Sequence, residues 1–137
     1  MTDEAVKRYD ESSGYGGVIQ DYTVADTIGI EKGTLLMLTD PRTASGSITV
    51  GYPLAGIAAR EKIANDGRTQ LALYKKGYFD MRASGAIGIG NPVMATGHGN
   101  QVMVASANLS GSRVLGYAEE DASAGGTGEV IIVRVDL

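Results

Sequence analysis

The sequence predicts an all-β fold, because glycine is abundant, apolar runs are short, and one unit of the chain is repeated. Twenty of the 137 residues are glycine and only three are proline. That glycine content is about twice the usual share of roughly 7%, and with so little proline it indicates many tight turns rather than disorder. Short apolar runs separated by turn signals every 8–12 residues or so are typical of a small barrel or sandwich.

The internal repeat has a period of 57 to 60 positions. A period of this length suggests two copies of one supersecondary unit, each too small to bury its own apolar face. We therefore expect a small β-barrel or β-sandwich, tulip-like in outline, built from two pseudo-repeated three-strand units at about 28–74 and 85–135. The repeated residues are Ile30, Gly33, Met37, Thr39, Gly56 and Ala58, which return as Ile87, Gly90, Met94, Thr96, Gly116 and Ala118.

Five strands are predicted in the first part of the chain. Val18–Val24 alternates apolar and polar residues, as a strand with one buried face does. The apolar run Thr34–Thr39 is closed by Asp40-Pro41, since the residue before proline avoids the helical region. A turn signal at 65–67 precedes Thr69–Tyr74. The other two strands are Leu54–Ala59 and Tyr78–Arg82. The one helix-compatible stretch, Ala58–Ala64, is long enough for two turns at most.

Four more strands are predicted in the second part. Pro92–Thr96 and Gln101–Ala105 flank a glycine-rich hairpin loop, and Arg113–Glu119 follows. The run Glu129–Val135 is almost continuously apolar, which predicts a central strand buried on both faces. All of these strands fall in one domain, expected at 17–137.

Residues 1–16 are polar, and we expect a flexible N-terminal arm with, at most, a short helix over Asp3–Tyr9. The net charge is −4, which disfavours direct binding to nucleic acid or to an anionic membrane. No apolar run is long enough to span a bilayer, and no secretion signal is recognisable. We expect a soluble protein made in the cytosol.

No polar group carries a convincing reaction. Cysteine is absent and His98 is the single histidine, so we predict no catalytic residue, no cofactor and no metal. Glycine-rich stretches at 14–16 and 85–90 precede no helix and are not phosphate loops. Lys75-Lys76 is interpreted as a solvated hairpin tip, and Glu119–Asp121 as a solvated or ion-paired strand end.

The order of several short motifs resembles the small head decoration, or cement, proteins of tailed viruses. The resemblance covers most of residues 28–137. It rests on an ordered set of glycine-punctuated apolar segments, none of which is specific alone. These are 30–40, 54–58, 66–69, 77–80, 89–93, 114–118 and 128–133.

This resemblance implies a virion structural protein that is not an enzyme. Proteins of this kind are β-rich, bind the outer face of the assembled head and stabilise it. The implied partner is the major capsid protein, the implied oligomer is a homotrimer, and the implied location is the capsid surface after synthesis in the host cytoplasm. We expect the capsid contacts in the arm, with Tyr9, Tyr15 and Tyr22 as aromatic anchors, because tyrosine favours interfaces. Tyr22 could equally be a rim residue of the first strand.

Two other functions stay open on the sequence. One is a small β-barrel binding or carrier module of a cellular complex, for which Lys75-Lys76 at a hairpin tip would be the modified site. The other is a different virion component, of the tail or neck.

Overall fold

The computed structural model describes residues 5–9, 19–46, 48–97, 100–106, 109–123 and 128–137. Within these ranges the secondary structure is eleven strands and one short 3-10 turn, which confirms the all-β class. The strands are β1 (Val6–Tyr9), β2 (Ile19–Thr23), β3 (Leu35–Asp40), β4 (Thr43–Ser45), β5 (Leu54–Ala58), β6 (Gln70–Tyr74), β7 (Lys76–Ala83), β8 (Pro92–Ala95), β9 (Gln101–Val104), β10 (Gly116–Ala118) and β11 (Glu129–Asp136), with the turn η1 at Gly111–Arg113.

The strands form two closed barrels of the same topology. The first barrel runs β2-β4-β3-β5-β6, and the second runs β7-β9-β8-β10-β11, with β1 added along β7. Each pairing in the first barrel has its equivalent in the second, including the one parallel pair of each, β2 with β4 and β7 with β9. The predicted duplication is thus confirmed, but each copy contains five strands rather than three.

Two glycines of the repeat allow the close approach of neighbouring strands. A Cβ on Gly56 would lie 2.6 Å from the carbonyl oxygen of Tyr74, and one on Gly116 would lie 1.9 Å from that of Arg134. Both distances are too short for any side chain. The repeated glycine therefore marks the same crowded point between β5 and β6 and between β10 and β11.

The other repeated residues form a matching turn before β3 and β8. Gly33 and Gly90 adopt φ of 88° and 80°, a left-handed conformation that glycine adopts without steric cost. Ile30 and Ile87, three residues earlier, are buried and make isolated antiparallel bridges to Lys62 and Ala122. This turn closes one end of each barrel.

The apolar core links the two barrels. One cluster lies inside the first barrel and includes Tyr22, Leu36 and Leu73. The other fills the second barrel and extends to three residues of the first, Leu35, Leu54 and Ile57. Because these three are at most 2% exposed, the outer face of β3 and β5 is covered by the second barrel.

Polar contacts reinforce the same junction. Asn100, buried between the barrels, accepts a hydrogen bond from the Leu35 N–H at 2.6 Å and donates to the Gly33 carbonyl at 2.8 Å. Lys75 is the single residue between β6 and β7, and its Nζ donates to the Tyr22 hydroxyl and the Ala55 carbonyl, both at 2.7 Å. The predicted solvated hairpin tip at Lys75-Lys76 is wrong, since this segment connects the barrels.

Three further expectations are corrected by the structure. Ala58–Ala64 is not helical, because Ala58 ends β5 and Lys62 makes a bridge to Ile30. On β11 only one face is buried, and Val130 on the other is 49% exposed. Within the predicted arm, Val6–Tyr9 form a strand along β7 rather than a helix.

Candidate interaction surface

Of the three predicted capsid-contact tyrosines, Tyr22 is the one whose side chain the structure describes. Tyr9 ends β1, and its side chain lies outside the described residues, as does the whole of Tyr15. Tyr22 is 8% exposed in the core of the first barrel. Lys75 lies over its ring at 4.9 Å from the centroid and also donates to its hydroxyl. Both the apolar ring and the polar tip of Tyr22 are therefore used within this chain.

Large exposed apolar side chains indicate where the described surface could bind a partner. Isolated ones need no explanation, but grouped ones mark interaction sites. Two belong to the loop before β5, two flank the end of the first barrel, and one lies beside a groove of the second barrel. The full set of exposed apolar residues is Ile28, Val50, Tyr52, Ile63, Ile89, Val104, Tyr117 and Val130.

The end of the first barrel is held by a buried lysine. The side chain of Lys62 is fully buried, and its Nζ lies within 3.3 Å of four oxygens: the carbonyls of Asp26 and Ile63 and one carboxylate oxygen each of Asp26 and Asp66. A buried charge needs this many partners to offset its lost hydration. Ile28 and Ile63, 55% and 65% exposed, are thus presented by a rigid barrel end.

Asp66 is the acidic centre of this network. The Arg68 N–H, 2.9 Å from its Oδ1, lowers the pKa of Asp66 below its ordinary value of 3.8, and contacts with Lys62 and with the Ile63 N–H lower it further. Partial desolvation opposes these effects without overcoming them. Asp66 therefore keeps its negative charge at a pH where an ordinary aspartate is already partly protonated.

A groove of about 640 Å³ runs beside the second barrel. Its lining includes Pro92, Val114 and Tyr117, together with Gly111 and Ser112 of η1. Tyr117 is 37% exposed, and the Arg134 guanidinium lies 5.1 Å from the centroid of its ring. The groove thus combines apolar and polar lining residues with an aromatic side chain that contacts a cation, a combination suited to protein contacts.

The loop before β5 carries a second exposed group. Val50 and Tyr52 are 46% and 56% exposed and flank Gly51, whose φ of 83° forms the turn. A Cβ on Gly97 would lie 2.9 Å from a Val50 methyl, so one edge of the loop rests on the second barrel. Tyr52 is left accessible at its tip.

The described residues lack two kinds of feature, a cluster of metal-binding side chains and a membrane-spanning helix. They contain no group of three or more His, Asp or Glu side chains placed to hold a metal ion. In the same residues no helix has the length and apolarity needed to cross a bilayer. The single histidine, His98, lies outside the described ranges, and the acidic strand end is used structurally, since Glu120 and Asp121 accept backbone N–H groups of Ile132 and Ile89.

The described residues define the class of tandem β-barrel proteins, with several apolar side chains exposed on the outside of the barrels. A model of the phage cement protein family matches residues 15–136, and the chain belongs to that family. It is therefore a structural protein associated with the phage capsid, and its location is the virion. This confirms the resemblance found in the sequence.

Comparison with solved structures agrees at the level of the fold. The chain is similar to the crystal structure of the head fiber gp8.5 N base of bacteriophage phi29, with a TM-score of 0.52 and 18% sequence identity. The match covers 87% of this chain and 93% of that one. At this identity the likeness concerns the fold alone. No curated protein matches the chain.

The carrier-module alternative loses its site. A lysine that carries a covalent group must project freely, whereas Lys75 is engaged by Tyr22 and Ala55. Lys76 forms an ion pair with Asp136. The surface that sequence reasoning missed is the groove at Tyr117, although the repeat contained a signal for it, since Tyr117 occupies the position of the buried Ile57.

Proposed function

We propose that this protein binds the outer face of the assembled phage head, contacts the major capsid protein, and stabilises the head as a homotrimer without catalysing a reaction. The match to the cement protein family over residues 15–136 carries the proposal. Cement proteins act by bridging, and bridging requires a body that does not deform under load. A cluster of buried residues shared by both barrels supplies that stiffness here.

Several weak contacts are sufficient for such a function. A trimer that touches several capsid subunits gains effective concentration at each contact, so no single contact has to be strong. Among the predicted anchors, Tyr9 and Tyr15 remain candidates for the capsid contact. The rigid barrel end at Ile28 and Ile63 adds a described apolar pair that suits a protein partner.

Reconstitution on heads that lack the protein tests the proposal. Purified protein is added to such heads, bound copies are counted and located by cryo-electron microscopy, and the temperature of DNA release is measured. We expect many copies on the outer face and a raised release temperature. A few copies at one vertex would instead indicate a neck or tail component and would contradict the proposal.

Single substitutions separate the candidate contacts. Tyr15→Ser and Ile63→Ser are each compared with Val130→Ser, which alters an exposed apolar residue on β11. A capsid contact is identified by lower occupancy at unchanged thermal stability of the free protein. Equal occupancy for all three variants would exclude both candidate contacts.

A further inference from the structure

The same outer face is covered on the first barrel and open on the second. On the first barrel, Leu35 pairs with Ile57, and both are buried against the second barrel. The equivalent residues in the second copy lie 57 and 60 positions later. They are Pro92 and Tyr117, which are also register partners. Both of these are exposed and line the groove. One barrel face thus occurs twice in the chain, once with a cover and once without.

The groove is continuous with the contact between the barrels. The turn η1 of the second barrel contacts β5, the strand that carries Leu54 and Ile57. Gly111 and Ser112 of the same turn line the groove. The open face is therefore continuous with the internal contact, and the turn in the loop before β10 is one of the second-barrel elements that touch β5.

The first barrel has its own version of that contacting loop. Gly51 lies 60 positions before Gly111, and both have positive φ, 83° and 63°. Val50 and Tyr52 flank Gly51 and are exposed. Each chain therefore carries one uncovered face, on the second barrel, and one exposed equivalent of the contacting loop, on the first barrel.

We propose that the first barrel of a second copy docks on the groove, with its Val50–Tyr52 loop against Pro92, Val114 and Tyr117. This repeats between chains the contact that the barrels make within one chain. The contact is heterologous, because two different surfaces meet, and it closes into a ring when the rotation permits. This inference rests on the self-association that is part of the proposed function, and it specifies the two surfaces through which the copies bind each other.

Cysteine cross-linking tests the contact directly, since the chain has no cysteine of its own. Tyr52→Cys and Tyr117→Cys proteins are prepared separately, mixed, and oxidised both free in solution and bound to heads. We expect a covalent dimer in the mixture and much less in either protein alone, because the loop that carries position 52 contacts only the groove that carries position 117. Ile63→Cys mixed with Tyr117→Cys is the matched control. The contact is wrong if the first mixture gives no more dimer than this control in both settings, or if Tyr117→Cys links mainly to itself.

A charge variant provides the second readout. Tyr117→Asp should weaken self-association about tenfold or more in sedimentation, with unfolding unchanged, whereas Val130→Asp should leave both unchanged. If no 52–117 cross-link forms and Tyr117→Asp lowers head occupancy, the groove contacts the capsid and this inference is overturned while the proposed function stands. If the cross-link forms but the unaltered protein does not bind heads, the proposed function fails and the contact between copies stands.

Discussion

Gly116 explains why both copies of the repeat have glycine at this position. The atom that a Cβ would meet is the backbone oxygen of Arg134, which cannot rotate away as a side chain could. Relief would require β10 and β11 to separate and would disturb their pairing at Tyr117 and Arg134. Overpacked sites of this kind lose about 1–3 kcal/mol, and more where the backbone must shift.

We therefore expect Gly116→Ala to lower the free energy of unfolding by about 3 kcal/mol, measured by chemical denaturation. Gly85→Ala is the matched control, because a Cβ there meets no atom within 4 Å, and its effect should stay within about 0.5 kcal/mol. Equal effects of the two substitutions would contradict this account of the repeat.

Lys62 provides a prediction about buried charge. Lys62→Met removes the cation from four oxygens, and the Ile63 carbonyl loses its donor, whereas the Asp26 carbonyl and both carboxylates keep backbone N–H donors. We expect the free energy of unfolding to fall by about 2–4 kcal/mol. Solvent reaches the partly exposed carboxylates of Asp26 and Asp66, but it does not reach the buried position of the lysine ammonium group, so the lost contacts there are not replaced by water. Lys32→Met, at an exposed position, should be nearly neutral. A Lys62→Met protein as stable as its parent would show that the ion pairs only offset their own desolvation.

The pH dependence of stability follows from Asp66. Its pKa is lower in the folded chain than its ordinary value of 3.8, so the folded state favours the ionised form. The resulting stabilisation is fully present above that ordinary value and is lost as the pH falls through the folded pKa. The stability difference between the parent and Asp66→Asn should be constant from pH 7 to about 5 and should shrink below about pH 4, as measured by denaturation at each pH. A difference independent of pH down to 2 would exclude this role for the carboxylate.

At the scale of strands, the sequence predicts the long apolar elements and misses those whose partners are distant. All nine predicted strands are present, because alternation and glycine turns are local signals. β4 is three residues long and mostly polar, and its strand character comes from pairing with β2 and β3. β1 lies in a polar segment and exists through β7. Such pairings depend on tertiary contacts between distant parts of the chain, and no local sequence pattern predicts them.

The candidate site shows the same limit. The repeat could be found in the sequence, but which copy of a repeated face is covered depends on how the barrels dock, and Ile57 and Tyr117 look alike as single apolar residues. Lys62 is an extreme case, because lysine is almost never fully buried and the second copy has Ala122 at that bridge. The burial of Lys62 is explained only by the oxygens of Asp26, Ile63 and Asp66 that surround it in the folded chain.

Asn100 carries the prediction that belongs to the contact between elements. Asn100→Ala removes the acceptor of the buried Leu35 N–H, whereas the Gly33 carbonyl keeps the Ala5 N–H as a donor at 2.9 Å. One unpaired buried group costs about 1–3 kcal/mol. We expect that loss of stability, with faster hydrogen exchange at Leu35 than at Leu73 inside the first barrel. Exchange accelerated equally at both sites would mean that Asn100 stabilises the whole chain rather than the contact.

For the whole molecule, the shared core predicts that the two barrels unfold together. Separation would expose Leu35, Leu54 and Ile57, now at most 2% exposed, and exposing each such side chain costs about 1.5–3 kcal/mol. A single barrel has therefore lost much of its stability once its neighbour unfolds. Calorimetry of the full chain should show one transition whose measured enthalpy equals the van't Hoff enthalpy, and Asn100→Ala should shift that transition without splitting it. Two resolved transitions would mean that the barrels are independent units and that the body is a hinged pair, which would weaken the argument that a rigid bridge stabilises the head.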